Sequence, residues 1–188
     1  MSPILSRWRT AAVLLTSAGA ALAAEPELTG RQVPERARAV LLDILKQAKL
    51  ESAQVTSTTR TVAEQAKVMF DFVNKNGFDA ALELYGPHGD AIIKVCAASY
   101  KQHGKCADPV LPQMVDETRR QIELLQKQGD SRTELMHTSD THFTIDIAPD
   151  SIADRPAFEA AVAADRRVSR FLKPPLDKNS YHLEIPRP

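Results

Sequence analysis

Two histidines and an aspartate dominate the chemistry this sequence could support. His137 opens the run His-Thr-Ser-Asp-Thr-His-Phe-Thr-Ile-Asp146, and His182 and Glu184 lie in Tyr-His-Leu-Glu-Ile near the C-terminus. Side chains alternate along a strand with a period of two. His142, Thr144 and Asp146 therefore share one face of a strand, with Phe143, Ile145 and Ile147 on the other. His182 and Glu184 share a face by the same rule. If these two strands are neighbours, a carboxylate and two imidazoles converge. Two His and one carboxylate make a zinc-type donor set that leaves a fourth position for water. Zinc lowers the pKa of such a water to about 7 and polarises a scissile carbonyl. A third segment, Val55-Thr-Ser-Thr-Thr-Arg60, places hydroxyls and a guanidinium just ahead of a helix that carries Gln65. A plainer reading stands beside this one. His137, His142 and His182 can each be a satisfied polar residue, and Asp146 an ordinary carboxylate near a turn. His88 and His103 fall in glycine-containing turns and read as solvated.

The elements that must position these groups are legible as periodicity. Helices are expected over residues 35–50, 61–74, 90–100, 111–128 and 156–171. Val40, Leu41, Ile44 and Leu45 recur at helical spacing in the first, after Pro34, which suits a helix start. Val62, Ala66, Met69 and Val73 do so in the second, with Gly77 as its stop. Met114, Val115, Ile122 and Leu125 form the apolar side of the fourth, which Gly129 should end. Strands are expected over 53–57 (Val55 inward), 143–147 and 181–185. The fold class is α+β: several helices packed on a small, mostly antiparallel sheet.

Bulk properties narrow the setting. Arg7 and Arg9 precede an apolar run over residues 11–21, and Ala21-Leu22-Ala23 offers the small residues a signal peptidase reads. The run is shorter than the roughly 20 apolar residues of a spanning helix. Residues 1–23 are therefore expected to be a signal peptide, with a retained membrane anchor as the alternative, and the mature chain to be secreted or periplasmic. The chain has 24 basic and 24 acidic residues; without Arg7 and Arg9 the balance is 22 to 24. No basic tract suggests nucleic acid or a membrane surface. Cys96 and Cys106 are the two cysteines. In an oxidising compartment they read as one disulfide, stabilising by roughly 2–3 kcal/mol. A metal pair of thiolates with His103 is the alternative.

In chain order, the three chemical segments resemble the zinc D-alanyl-D-alanine peptidase family, which includes the hedgehog-type domains. Val-Thr-Ser-Thr-Thr-Arg60 looks like its strand-then-turn with Ser and Arg, His137…Asp146-Ile-Ala-Pro like its His…Asp element, and Tyr-His182-Leu-Glu-Ile-Pro like its final strand. The resemblance covers roughly residues 53–186. It implies a peptidase-like domain over 53–188, preceded by the expected signal peptide (1–23) and an N-terminal segment with a helix (24–52). It further implies His137, Asp146 and His182 as ligands of zinc. Arg60 would hold a substrate carbonyl or carboxylate with its planar fork, Ser57 would orient that end of the site, and Gln65 would support it. The implied activity is hydrolysis of peptidoglycan stem peptides at D-amino-acid bonds, as a DD- or LD-carboxypeptidase or endopeptidase, by a monomer.

The sequence departs from the family in two places. The His137-to-Asp146 interval exceeds that of well-known members, so His142 competes for the ligand role. The general-base Glu, three residues before the last His, is here Asn179, which cannot take a proton from water. Glu184 is the nearest replacement, as base or as a brace for His182; Asp140 and Glu134 are remoter. The alternative function is an inactive relative that binds cell-wall fragments or a protein partner. A further one is a disulfide-stapled helical binding domain without metal.

Overall fold

The computed structural model describes residues 24–128, 135–174 and 179–188. The expected signal peptide, the helix stop at Gly129 and Glu134 lie outside them. In chain order the elements are β1 (Glu27–Gly30), α1 (Glu35–Gln47), β2 (Ser52–Thr58), α2 (Val62–Asn76), α3 (Phe78–Leu84), α4 (Pro87–Lys94) and α5 (Ala97–His103). Next come α6 (Leu111–Lys127), β3 (His142–Ile147), α7 (Arg155–Ala164), β4 (Arg170–Leu172) and β5 (Tyr181–Pro186). The strands form one sheet in the order β1-β2-β3-β5-β4. Only β1 and β2 run parallel; the other neighbours are antiparallel. The chain forms the expected α+β architecture.

Alternation in the strands gives the sheet two different faces. Val55, Ile145, Ile147, Leu183 and Ile185 point to one face, where Val40, Leu41, Ile44 and Leu45 of α1 and Phe158 and Val162 of α7 close over them. Burying such a side chain is worth about 1.5–3 kcal/mol, so this apolar face fixes the register of the pairs. A second apolar cluster ties α2 to α6: Ala66, Met69, Phe70 and Val73 of α2 pack with Ile92, Ile93 and Met114. The Cys96–Cys106 disulfide lies inside this cluster, with its Cα atoms 5.4 Å apart. Cys106 is also held to α2, because Asn74 accepts from its backbone N–H and donates to its carbonyl at 2.7 and 3.0 Å. The thiols are thus used as a staple rather than as metal ligands.

Several expected elements take a different form. The helix expected over 90–100 starts earlier, at Pro87, and is two helices. Proline presets the first turn, and at Val95 and Cys96 the backbone donates to the carbonyls of Ile92 and Ile93, three residues back, so the helix tightens and restarts. The helix expected over 156–171 stops at Ala164. Asp165 accepts from both the backbone and the guanidinium of Arg167, and this local turn replaces helix continuation. Residues 170–172 become β4, which lets Phe171 stack on Tyr181 with ring centroids 5.7 Å apart. Strand β1 and helix α3 carry no strong periodicity and were not expected. Beside β2, Gly30 at φ 87° brings its backbone so close that a Cβ would lie 2.2 Å from the Val55 carbonyl oxygen. No helix among the described residues is long and apolar enough to cross a membrane.

Candidate metal centre

Register decides what the polar face presents. Asp146 on β3 pairs directly with His182 on β5, and Ser57 on β2 pairs with Asp146 from the other side. The three thus form one cross-strand row. Ser57 reaches it only through an irregularity: Val55 pairs with Ile147 while Ser57 pairs with Asp146, two residues against one. Such a bulge reverses the facing of the strand residues beyond it. Val55 stays in the apolar core while Ser57, which simple alternation would put beside it, turns to the polar face.

His137 enters from outside the strands. It lies in a short 3₁₀ turn, Met136–Thr138, whose carbonyl at His137 accepts from the Arg60 backbone N–H at 2.6 Å. Its Nδ1 lies 3.1 Å from the Thr58 carbonyl oxygen, with Thr144 Oγ1 at 3.3 Å. A carbonyl only accepts, so Nδ1 carries the hydrogen and, in the neutral ring, Nε2 keeps a lone pair. That Nε2 lies 2.9 Å from Asp146 Oδ2, and His182 Nδ1 lies 2.8 Å from Asp146 Oδ1. The two rings sit edge to face, 5.2 Å between centroids.

One ligand atom from each of His137, Asp146 and His182 falls within 4.8 Å of the others, so this group could hold a metal ion. The donor chemistry fits a cation. Two imidazole nitrogens are turned onto one carboxylate that is only 14% exposed, and the His182 side chain is fully buried. Burial alone would raise the Asp146 carboxyl, but the hydrogen bonds and charge of His137 and His182 outweigh it and hold it far below the usual carboxylate range. Burial would likewise lower His182, yet the carboxylates of Asp146 and Glu184 overcome it and push the imidazole up to about 9. An anion is thus concentrated where two nitrogens converge, an arrangement that a proton or a metal can satisfy.

Arg60 lines the same cavity as these three residues. The capping box of Thr61 and Glu64 starts α2 at the next residue and fixes how Arg60 leaves the strand. Its guanidinium donates to Ser57 Oγ at 2.6 Å and to the buried Gln65 Oε1 at 2.9 Å. Burial lowers its pKa, a shift that Asp146 partly offsets. Both hydrogen-bond partners are neutral, so this partly buried cation keeps its charge for a ligand. A cavity of about 310 Å³ joins Arg60 and Gln65 to His137, Asp146 and His182. Tyr85 lines it as well, its hydroxyl raised by burial and lowered by Arg60. Sequence reasoning missed Tyr85; its place before the Gly86-Pro87 helix start was the one local signal.

The other candidates fall elsewhere. His142 lies at the far end of β3, opposite Pro186, bonded to Thr141 at 2.8 Å, and does not join the His137 group. His103 is exposed, as expected. His88 is not simply solvated: it is half-buried, with Nδ1 2.6 Å from Gln121 Oε1. Asn179 and Asp140 are exposed and line no part of the cavity. Glu184 shares a strand face with His182 but lies behind its ring, 3.6 Å from Nε2, on the side away from Asp146. It is 2% exposed and does not line the cavity. Among the described residues, Asp146 is the one carboxylate that does. No protein-family model matches the chain, and neither a curated protein nor a solved structure matches it.

Proposed function

We propose that this chain is an exported zinc-dependent peptidase acting on peptidoglycan stem peptides at D-amino-acid bonds. The observation that carries the reading is the convergence of His137, Asp146 and His182 in a cavity that Arg60 also lines. His137 Nε2, an Asp146 oxygen and His182 Nδ1 would hold the ion. Zinc supplies Lewis acidity there, polarising a carbonyl and making water nucleophilic near neutral pH. The protein's own groups do the rest. Arg60, kept in one orientation by Ser57 and Gln65, binds the substrate's carboxylate or carbonyl oxygen with its planar fork. The same guanidinium stabilises negative charge that develops on that oxygen. Arg60 and Ser57 also border a second cavity of about 560 Å³, with Ala63, Leu111 and Val115 on its apolar side, into which a longer peptide could extend.

A second reading has its own support. Asn179 stands where the family's base would be, and no carboxylate other than Asp146 lines the cavity among the described residues. A positioned base is worth about 10²–10⁴-fold, so a chain without one would bind cell-wall peptides more readily than cut them. Incubating the purified, zinc-loaded mature protein with muropeptides separates the two. Release of a terminal or bridging D-amino acid, abolished by chelation, supports the peptidase. Saturable binding without cleavage, with cleavage appearing in Asn179→Glu, supports the binder. Neither binding nor cleavage removes both.

A further inference from the structure

The polar face holds a second buried carboxylate that the cavity does not use. Glu184 is 2% exposed and His182 fully buried, and two of their atoms, Glu184 Oε2 and His182 Nε2, have no hydrogen-bond partner among the described residues. Buried polar atoms are rarely left so without a reason. Glu184 Oε1 is 3.6 Å from His182 Nε2, an ion-pair contact just longer than a hydrogen bond. Behind it, Arg170 on β4 approaches the same oxygen at 3.4 Å, and the two residues are cross-strand partners. A chain of side-chain contacts thus runs from Arg170 through Glu184 and His182 to Asp146, from the β4 edge to the cavity.

We infer that Glu184 is a positioning residue, which accepts the Nε2 hydrogen of His182 and so keeps Nδ1 turned onto Asp146 as the ligating atom, with Arg170 compensating the buried charge. This rests on the metal-binding reading of His182 and assigns Glu184 away from the role of base. A histidine has two ring nitrogens, and which one is free to ligate is set by what the other donates to. Without an acceptor behind the ring, His182 loses the fixed hydrogen that keeps Nδ1 available, and a buried imidazole N–H is left unpaired.

The test uses the full mature protein labelled with ¹⁵N-histidine. In wild type, with or without zinc, His182 should show a downfield, slowly exchanging Nε2–H proton. Glu184→Gln should move or broaden it and weaken zinc binding about 10–100-fold in chelator competition. Arg170→Met, at a half-exposed position, should give a smaller loss in the same direction and guards against failure of the Glu184 variant to fold. Asp140→Asn is the control and should bind zinc as wild type does. An unchanged Nε2–H signal and unchanged zinc affinity in folded Glu184→Gln overturn the inference. If wild type binds no zinc at all, the metal reading fails separately, and the Nε2–H signal alone still decides the role of Glu184.

Discussion

Metal binding at this centre should be steeply pH-dependent, and the structure sets the range. In the metal-free protein His182 is held as an imidazolium by Asp146 and Glu184, with its pKa raised from 6.5 to about 9. A ligating nitrogen must first lose its proton, so metal and proton compete. Below about pH 9 each ion bound releases one proton from His182. Its apparent affinity should therefore rise about tenfold per pH unit, or about 100-fold between pH 6 and pH 8, near 2.7 kcal/mol. Zinc titrations against a competing chelator at pH 6, 7 and 8 measure the slope. Calorimetry in buffers of different ionisation enthalpy counts the protons. A pH-independent affinity, or no proton release at pH 7, would refute the argument.

Stability of the metal-free protein carries the same signature with the opposite sign. The folded state binds the His182 proton more tightly than the unfolded state, so the contribution is complete below pH 6.5 and is lost as pH rises through about 9. The shift corresponds to about 3 kcal/mol. It is the same interaction that depresses Asp146, seen from the other partner, and is counted once. Denaturant midpoints should therefore fall between pH 6.5 and 9 without metal and change little with zinc bound.

Three other outcomes are expected. His137→Ala and His182→Ala should each abolish stoichiometric metal binding, whereas His142→Ala, His88→Ala and His103→Ala should retain it; plasma emission analysis of dialysed protein reads this directly. Mass spectrometry of the non-reduced chain should show two hydrogens fewer than the reduced chain, and Cys96→Ala/Cys106→Ala should lower unfolding free energy by roughly 2–3 kcal/mol. Arg60→Lys should leave metal content unchanged and weaken peptide binding at least tenfold, because a lysine cannot reproduce a fork held at once by Ser57 and Gln65; equilibrium dialysis with a muropeptide checks it.

Much of this centre could be read from the chain, for one physical reason. Alternation in residues 143–147 and 181–185 separates apolar from polar side chains, and one buried face leaves no choice of which set points inward. Features that depend on distant partners could not be read. The choice of His137 over His142 rests on a backbone bond between His137 and Arg60, 77 positions apart in sequence. The facing of Ser57 rests on a bulge that no local residue announces. The break between α4 and α5 and the early end of α7 came from competing local hydrogen bonds at Val95, Cys96 and Asp165, which outweigh favourable helical spacing.

Glu184 shows the same limit most sharply, and it shapes the functional argument. A period of two correctly puts it on the His182 face, which made it the nearest replacement for the base that the family resemblance would place at Asn179. Sharing a face does not mean sharing a side of an imidazole. The antiparallel register sets Asp146 opposite His182, while Glu184 falls two pairs further along, opposite Thr144 and Arg170. His182 therefore offers Nδ1 to the cavity and Nε2 to the protein interior. A carboxylate behind a ligand can strengthen it but cannot take a proton from water in front of it. Any hydrolysis by this chain thus turns on a group other than Glu184, and among the described residues Arg60, Gln65 and Tyr85 bring further hydrogen-bonding side chains to the cavity of His137, Asp146 and His182.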